Sequence, residues 1–174
     1  MKRKIVVPLT TLLTILWLVP GVFANDFDHS KFDQILKSYV DEKGLVDYNS
    51  IAKDRGFSEY MQSLQTAKVE EFTRDGQLAF WINAYNAVTI RGILREYPTS
   101  SIRNHTARLF GYNIWKDLKL YVGGQPHSLE QIEHEILRKM SEPRIHFAIV
   151  CASIGCPRLL DQAYVADRLE SQLQ

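Results

Sequence analysis

The chain has 174 residues, with 21 Lys and Arg against 20 Asp and Glu and 45% hydrophobic residues. That length and composition suit one domain around one core, and the balanced charge, without a Lys/Arg cluster beyond Lys2-Arg3-Lys4, gives no footing for nucleic-acid binding.

Residues 1–24 read as a secretory signal peptide. Lys2, Arg3 and Lys4 precede an apolar run from Ile5 to Val19, and Pro20-Gly21-Val22-Phe23-Ala24 supplies small residues before a cut after Ala24. An uncleaved anchor is the competing reading, but the run is short for a spanning helix and Pro20-Gly21 interrupts it. The expectation is therefore an exported protein, periplasmic or secreted, with a single domain over 25–174 and no membrane span after cleavage. Losing three cations from 21 leaves about 18 against 20 acids, a mature charge near −2. Export also changes how Cys151 and Cys156 read: in an oxidising compartment the pair suggests a disulfide, whereas in cytosol it would suggest metal or catalysis.

Phe32, Ile35, Leu36 and Tyr39 recur at helical spacing, with Ser30 placed to cap the helix and Gly44 to end the segment. Leu45 to Tyr48 reads as a short extended piece, and Phe57, Tyr60, Met61 and Leu64 mark a second helix. Arg74 to Glu96 forms the longest helix, stopped by Tyr97-Pro98. Leu78, Ile82, Tyr85, Thr89 and Ile93 lie on one side, and Phe80, Ala84 and Ala87 on the other, so burial round most of the circumference is expected. Asn83 and Asn86 then sit at an apolar margin and need partners, either backbone groups of a neighbouring loop or a ligand. From Thr99 to Trp115 the sequence is irregular.

Leu118 to Val122 alternates like a strand, and Gly123-Gly124 signals a hairpin or tight turn. His105 and His127 read as exposed loop histidines. Ser128-Leu129-Glu130-Gln131 matches a capping box, so a helix should start at Leu129. On a regular wheel Glu133 falls inside its apolar stripe, His134 on the flank, and Arg138 faces away. An inward carboxylate must be ion-paired or hydrogen-bonded to loop amides, or else act as an acid/base group or as the orienting partner of a histidine.

Arg144 to Pro157 draws most attention. The apolar run from Ile145 to Ala152, broken only by His146, fits a central strand. Parity then puts Arg144, His146, Ala148 and Val150 on one face and Ile145, Phe147, Ile149 and Cys151 on the other, separating His146 from Cys151. Cys156 lies beyond the strand, and Ser153 to Pro157 forms the rim of a site. The fold class expected is α+β: a small, mostly antiparallel sheet containing 144–151 and 118–122, packed against the long buried helix and further helices.

These motifs in combination resemble one family. Ala79-Phe80-Trp81-Ile82-Asn83-Ala84-Tyr85-Asn86-Ala87, Ser128-Leu129 with Ile132-Glu133-His134, and Pro143 to Ala148 through Cys151-Ala152-Ser153 to Cys156-Pro157 look like domain of unknown function 547. Asp28-His29-Ser30 and Val46-Asp47-Tyr48 also fit its opening. The resemblance implies no agreed activity. It places Asn83, Asn86, Glu133, His134, Arg144, His146, Cys151 and Cys156 in signature motifs, and it implies a domain continuing beyond Gln174, so that this chain would be incomplete at its C-terminal end.

Two functions compete. One is a ligand- or partner-binding domain, in which a Cys151–Cys156 disulfide shapes a polar pocket edged by Asn83, Asn86 and His134 for a small molecule or peptide. The other is a thiol-dependent hydrolase or acyl transferase with Cys151 as nucleophile, His134 as base, and Glu133 or Asn83 in support. A metal site from His146, Cys151 and Cys156 fits no common zinc pattern, and nothing in the sequence calls for a cofactor.

Overall fold

A computed structural model describes residues 26–99, 113–153 and 155–174. Predicted residues 1–24 and most of the irregular 99–115 stretch, including His105, lie outside the described residues. The fold is organised around a 22-residue helix, α4 (Arg74–Arg95), preceded by α1 (Ser30–Tyr39), α2 (Tyr48–Ile51) and α3 (Arg55–Gln65). A hairpin follows, β1 (Leu120–Val122) and β2 (Gln125–His127), and then α5 (Leu129–Gln131), α6 (Ile145–Ala148) and α7 (Leu169–Gln172). This is an α+β fold with a small antiparallel sheet against a long buried helix and further helices.

Every residue of α4 from Leu78 to Ile90 is buried, as the two apolar faces of its sequence require. Its start is fixed from outside. Thr73 accepts the Gly76 amide at 2.9 Å, and the Asp26 carboxylate accepts from the Thr73 amide at 2.8 Å. α1 and α3 bury Phe32, Ile35, Leu36, Phe57, Tyr60 and Leu64 in the same core. Phe32 and Tyr60 stack with ring centroids 4.8 Å apart. The first turn of α1 begins at Ser30 itself; Asp28 Oδ1 accepts the Ser30 amide and does the capping expected of Ser30.

Between α1 and α2 the chain makes a hook closed by an antiparallel bridge, Val40 to Val46. Gly44 sits in it at φ 78°, and the Asp41 carboxylate accepts the Lys43 and Leu45 amides. Gly123 and Gly124 both have positive φ, as the two-residue hairpin demands. Their amides also donate to the carbonyls of Leu64 and Gln65, so the hairpin turn caps the C-terminus of α3.

The expected strand over 144–151 does not form. Residues Ile145–Ala148 make the helical turn α6, and Ile149 then runs extended at φ −91°, ψ 130°. Ile145, Ala148 and Ile149 are buried while His146 is exposed and Phe147 is 74% exposed. This is i, i+3, i+4 spacing, not alternation. The exposed Phe147 filled in an apolar run that burial alone would have broken. The sheet is therefore the 120–127 hairpin alone among the described residues, and the parity argument separating His146 from Cys151 lapses.

The helix from Leu129 begins as expected, with both arms of the Ser128–Gln131 capping box made. It then widens into a π-helical turn over Ile132–Ile136 and tightens to a 3₁₀ turn over Leu137–Met140. A π turn stacks residue i+5 over residue i. Arg138 consequently swings back beside Glu133, contrary to the regular wheel, and the two pair at 2.9 Å.

Candidate functional site

Two asparagines on α4 connect the core helix to chain segments that have no strand partner. Asn83 Nδ2 donates to the Tyr164 carbonyl at 2.7 Å and its Oδ1 accepts the Tyr164 amide at 3.0 Å. Asn86 Nδ2 donates to the Ala148 carbonyl at 3.0 Å and its Oδ1 accepts the Val150 amide at 2.9 Å. Both side chains are buried, and their amides meet loop backbone, the first of the two alternatives the sequence allowed.

The Asn86 clamp delivers the chain directly to the cysteines. Cys151 and Cys156 are joined by a disulfide with Cα atoms 6.1 Å apart. The ring between them is held from inside. The Cys151 amide donates to Cys156 Sγ at 3.2 Å, and the Ser153 hydroxyl lies 3.3 Å from Cys151 Sγ and 3.4 Å from Cys156 Sγ. The Cys156 amide donates to the Ser153 carbonyl, and Ala152 takes a left-handed φ of 55°. An L-residue there costs about 1 kcal/mol, so the turn at Ala152 is a specified conformation.

Beside this ring lies an open cleft of about 520 Å³, bounded by the hook 43–46, the α4 face of Asn86, Thr89 and Ile90, and the segments around Val150, Ser153 and Cys156–Leu159. Among the described residues Lys43 and Arg158 are its only charged lining residues. Tyr48 also lines it, its phenol pushed up to about 12 by burial. The Arg158 guanidinium donates to the Glu42 carbonyl, which ties the hook to the 157–159 segment.

Among the described residues none of the remaining sequence candidates hydrogen-bonds a sulfur. Glu133 keeps 22% side-chain exposure and is paired with the half-exposed Arg138, so it is neither bare nor sealed in the core. Burial, and secondarily the Glu133 charge, push the Tyr85 phenol well above its ordinary value. His134 and His146 are exposed, and among the described residues no hydrogen bond joins either to Cys151. Arg144 forms paired contacts with Glu142 and Glu170, all at 2.8–2.9 Å, linking the start of α6 to α7. Its hydrogen bonds hold the Glu142 carboxyl down at about 2. Among the described residues no group of three His, Cys, Asp or Glu side chains is arranged to hold a metal ion.

A family model described as "Protein of unknown function, DUF547" matches residues 69–174, more than half of the chain, and spans the α4 amides, the Glu133–His134 turn and the cysteine ring. The chain belongs to the DUF547 family. No curated protein and no solved structure matches it.

One residue of this DUF547 chain carries more than the sequence suggested. His29 is 4% exposed, its Nδ1 lies 2.8 Å from the Tyr60 hydroxyl, and its Nε2 is buried without a partner among the described residues. Rings of Phe27, Tyr60 and Phe80 surround it. Burial pushes it from 6.5 down to about 4. The signal available was its position in Asp28-His29-Ser30, just before the helix expected from Ser30.

Proposed function

We propose that this DUF547 domain is an exported binding module whose cleft beside the Cys151–Cys156 ring takes a small amphipathic anion or the carboxylate end of a short peptide. The observation that carries the reading is the lining: among the described residues it has two cations, no carboxylate, apolar residues Leu45, Val46, Ile90, Val150 and Leu159, and the hydroxyl-bearing Tyr48 and Ser153. A concave, largely apolar surface with a few convergent polar groups of one sign suits such a ligand. The Asn86 clamp and the disulfide fix one wall before any ligand arrives, which limits the ordering cost of binding.

The test is an NMR titration of the oxidised protein with a panel of fatty-acid and N-acyl-peptide carboxylates alongside the matching amines. Carboxylates should shift signals of residues 43–48, 86–90 and 150–159, and a Lys43→Glu/Arg158→Glu variant should lose that response. Shifts spread evenly over the surface, or no preference for carboxylates over amines, would sink the reading. Export is tested on the full chain by the N-terminus of the protein recovered from the periplasm of an expressing bacterium, expected just after Ala24. A thiol hydrolase using Cys151 would require the disulfide to open first, and it predicts ester hydrolysis that depends on reductant and is lost in Cys151→Ser.

A further inference from the structure

We infer that Cys151–Cys156 is an exchanging disulfide and that Cys156 is the sulfur reacting with a small anionic thiol or disulfide that enters through the cleft. The inference rests on the cleft described above, but on its chemistry at sulfur and not on reversible ligand binding. Three observations carry it.

Cys156 lines the cleft and Cys151 does not, so an incoming group meets Cys156 first. The donors around the pair are unequal. Cys156 Sγ accepts the Cys151 amide as well as facing the Ser153 hydroxyl, whereas among the described residues Cys151 Sγ has only that hydroxyl. Hydrogen bonds to sulfur favour its anionic form, so the negative charge of an opened pair settles on Cys156. The Cys151 amide stays in place when the bond opens, because its neighbour Val150 is held by Asn86 from the core helix. Lys43 and Arg158, unopposed by any carboxylate among the described lining residues, add a field of the same sense.

The reaction balances as follows. In the dithiol form the Cys156 thiolate attacks one sulfur of a disulfide RSSR. That S–S bond breaks, and RS⁻ leaves and takes up a proton from water. The Cys151 thiol then gives up its proton and attacks Cys156 Sγ in the mixed disulfide, expelling the second RS⁻, which is protonated in turn. The protein dithiol and RSSR become the protein disulfide and two RSH. In reverse, a thiolate RS⁻ attacks Cys156 Sγ and the electron pair of the protein S–S bond goes to Cys151 Sγ, which accepts a hydrogen bond from the Ser153 hydroxyl and then a proton from water. A second RS⁻ attacks the outer sulfur of the mixed disulfide, releasing RSSR and the Cys156 thiolate.

The experiment uses glutathione disulfide, which carries carboxylates, and cystamine, which carries two ammonium groups. At neutral pH the Cys151→Ser variant, with Cys156 free, should form its glutathione adduct at least ~10-fold faster than the Cys156→Ser variant. Glutathione disulfide should outpace cystamine, and Lys43→Glu/Arg158→Glu should reverse that order. Ser153→Ala should move the pH profile of Cys156 alkylation to higher pH.

Where a single-cysteine variant does not fold, the wild-type protein answers instead: after reduction by millimolar glutathione under native conditions, brief iodoacetamide treatment and peptide mapping should find Cys156 labelled ahead of Cys151. Equal labelling, Cys151 ahead, or a disulfide left intact by glutathione in the folded protein would overturn the inference. Loss of carboxylate binding by the oxidised protein, with Cys156 still faster, would sink only the binding reading.

Discussion

His29 makes stability depend on pH in a window that can be stated in advance. In the folded protein the ring is sealed among Phe27, Tyr60 and Phe80 and holds no proton until about pH 4, whereas in the unfolded chain it takes one up near 6.5. Between those values the unfolded state binds the proton that the folded state refuses, so the stabilising effect is complete above the unfolded value and is lost as pH falls towards the folded one. At pH 5 the loss relative to pH 8 is about 2 kcal/mol, and it approaches about 3 kcal/mol below pH 4. For a domain of this size that is roughly 4–8 °C in Tm at pH 5. Carboxylates with lowered values, such as Glu142 at about 2, act at lower pH. His127 is lowered in the same direction by burial and contributes in the same window, so the wild-type slope alone does not isolate His29. The decisive measurement is urea unfolding from pH 8 to 5 for wild type and for His29→Asn, whose amide can still meet the Tyr60 hydroxyl. The variant should be less stable at pH 8 through lost ring packing but should lose most of the pH slope. Parallel slopes for the two proteins, or an NMR titration of His29 in the folded state centred near 6.5, would refute the reasoning.

Other substitutions test the same structure. Asn86→Ala strands the Ala148 carbonyl and the Val150 amide and should cost about 2–4 kcal/mol, read as a lower urea midpoint at unchanged slope; Asn86→Asp should be no better, because a carboxylate cannot donate to the Ala148 carbonyl. Gly44→Ala meets a positive φ of 78° and places its Cβ 2.9 Å from the Leu159 amide nitrogen, so a loss of at least ~2 kcal/mol is expected by thermal unfolding. Glu133→Gln breaks an ion pair whose arginine is 47% exposed and should change stability by less than about 1 kcal/mol in the same assay.

The helices were legible because their signals are local. The capping box at Ser128, the glycine pair at 123–124 and the two-sided apolar pattern of α4 each fix backbone geometry within a few residues, and each appears where the residues put it. The failures share a different cause. Arg138 is exposed, as the wheel has it, but its pairing with Glu133 was not legible because the wheel assumes one pitch, and the π turn over Ile132–Ile136 changes the pitch without any glycine or proline to announce it. His29 escaped because its burial comes from α3 and α4, which lie far along the chain. The disulfide, left open between bonded and free thiols in the sequence, became readable once the backbone brought the two Cα atoms to bonding separation.

The missing strand at 144–151 shows why the site sits where it does. A buried extended segment must satisfy its amides and carbonyls, and in a sheet the neighbouring strand does so. Here one side chain does the same work: Asn86 accepts from Val150 and donates to Ala148, as Asn83 accepts from and donates to Tyr164. An asparagine offers one donor face and one acceptor face at the spacing of a peptide group, so it can stand in for a strand at a single register position. It cannot stand in beyond that position. Between Val150 and Tyr164 no described residue has a backbone partner on α4, and the chain turns through left-handed Ala152 into the ring closed by Cys156. The apolar run that resembles a strand is thus required for burial, while its polar anchoring lies on another element, 64 residues earlier in the chain. The same arrangement leaves the cysteine ring at the edge of the core, fixed on its Val150 side and open to the cleft on its Cys156 side, where sulfur chemistry is accessible and the backbone around it is already positioned.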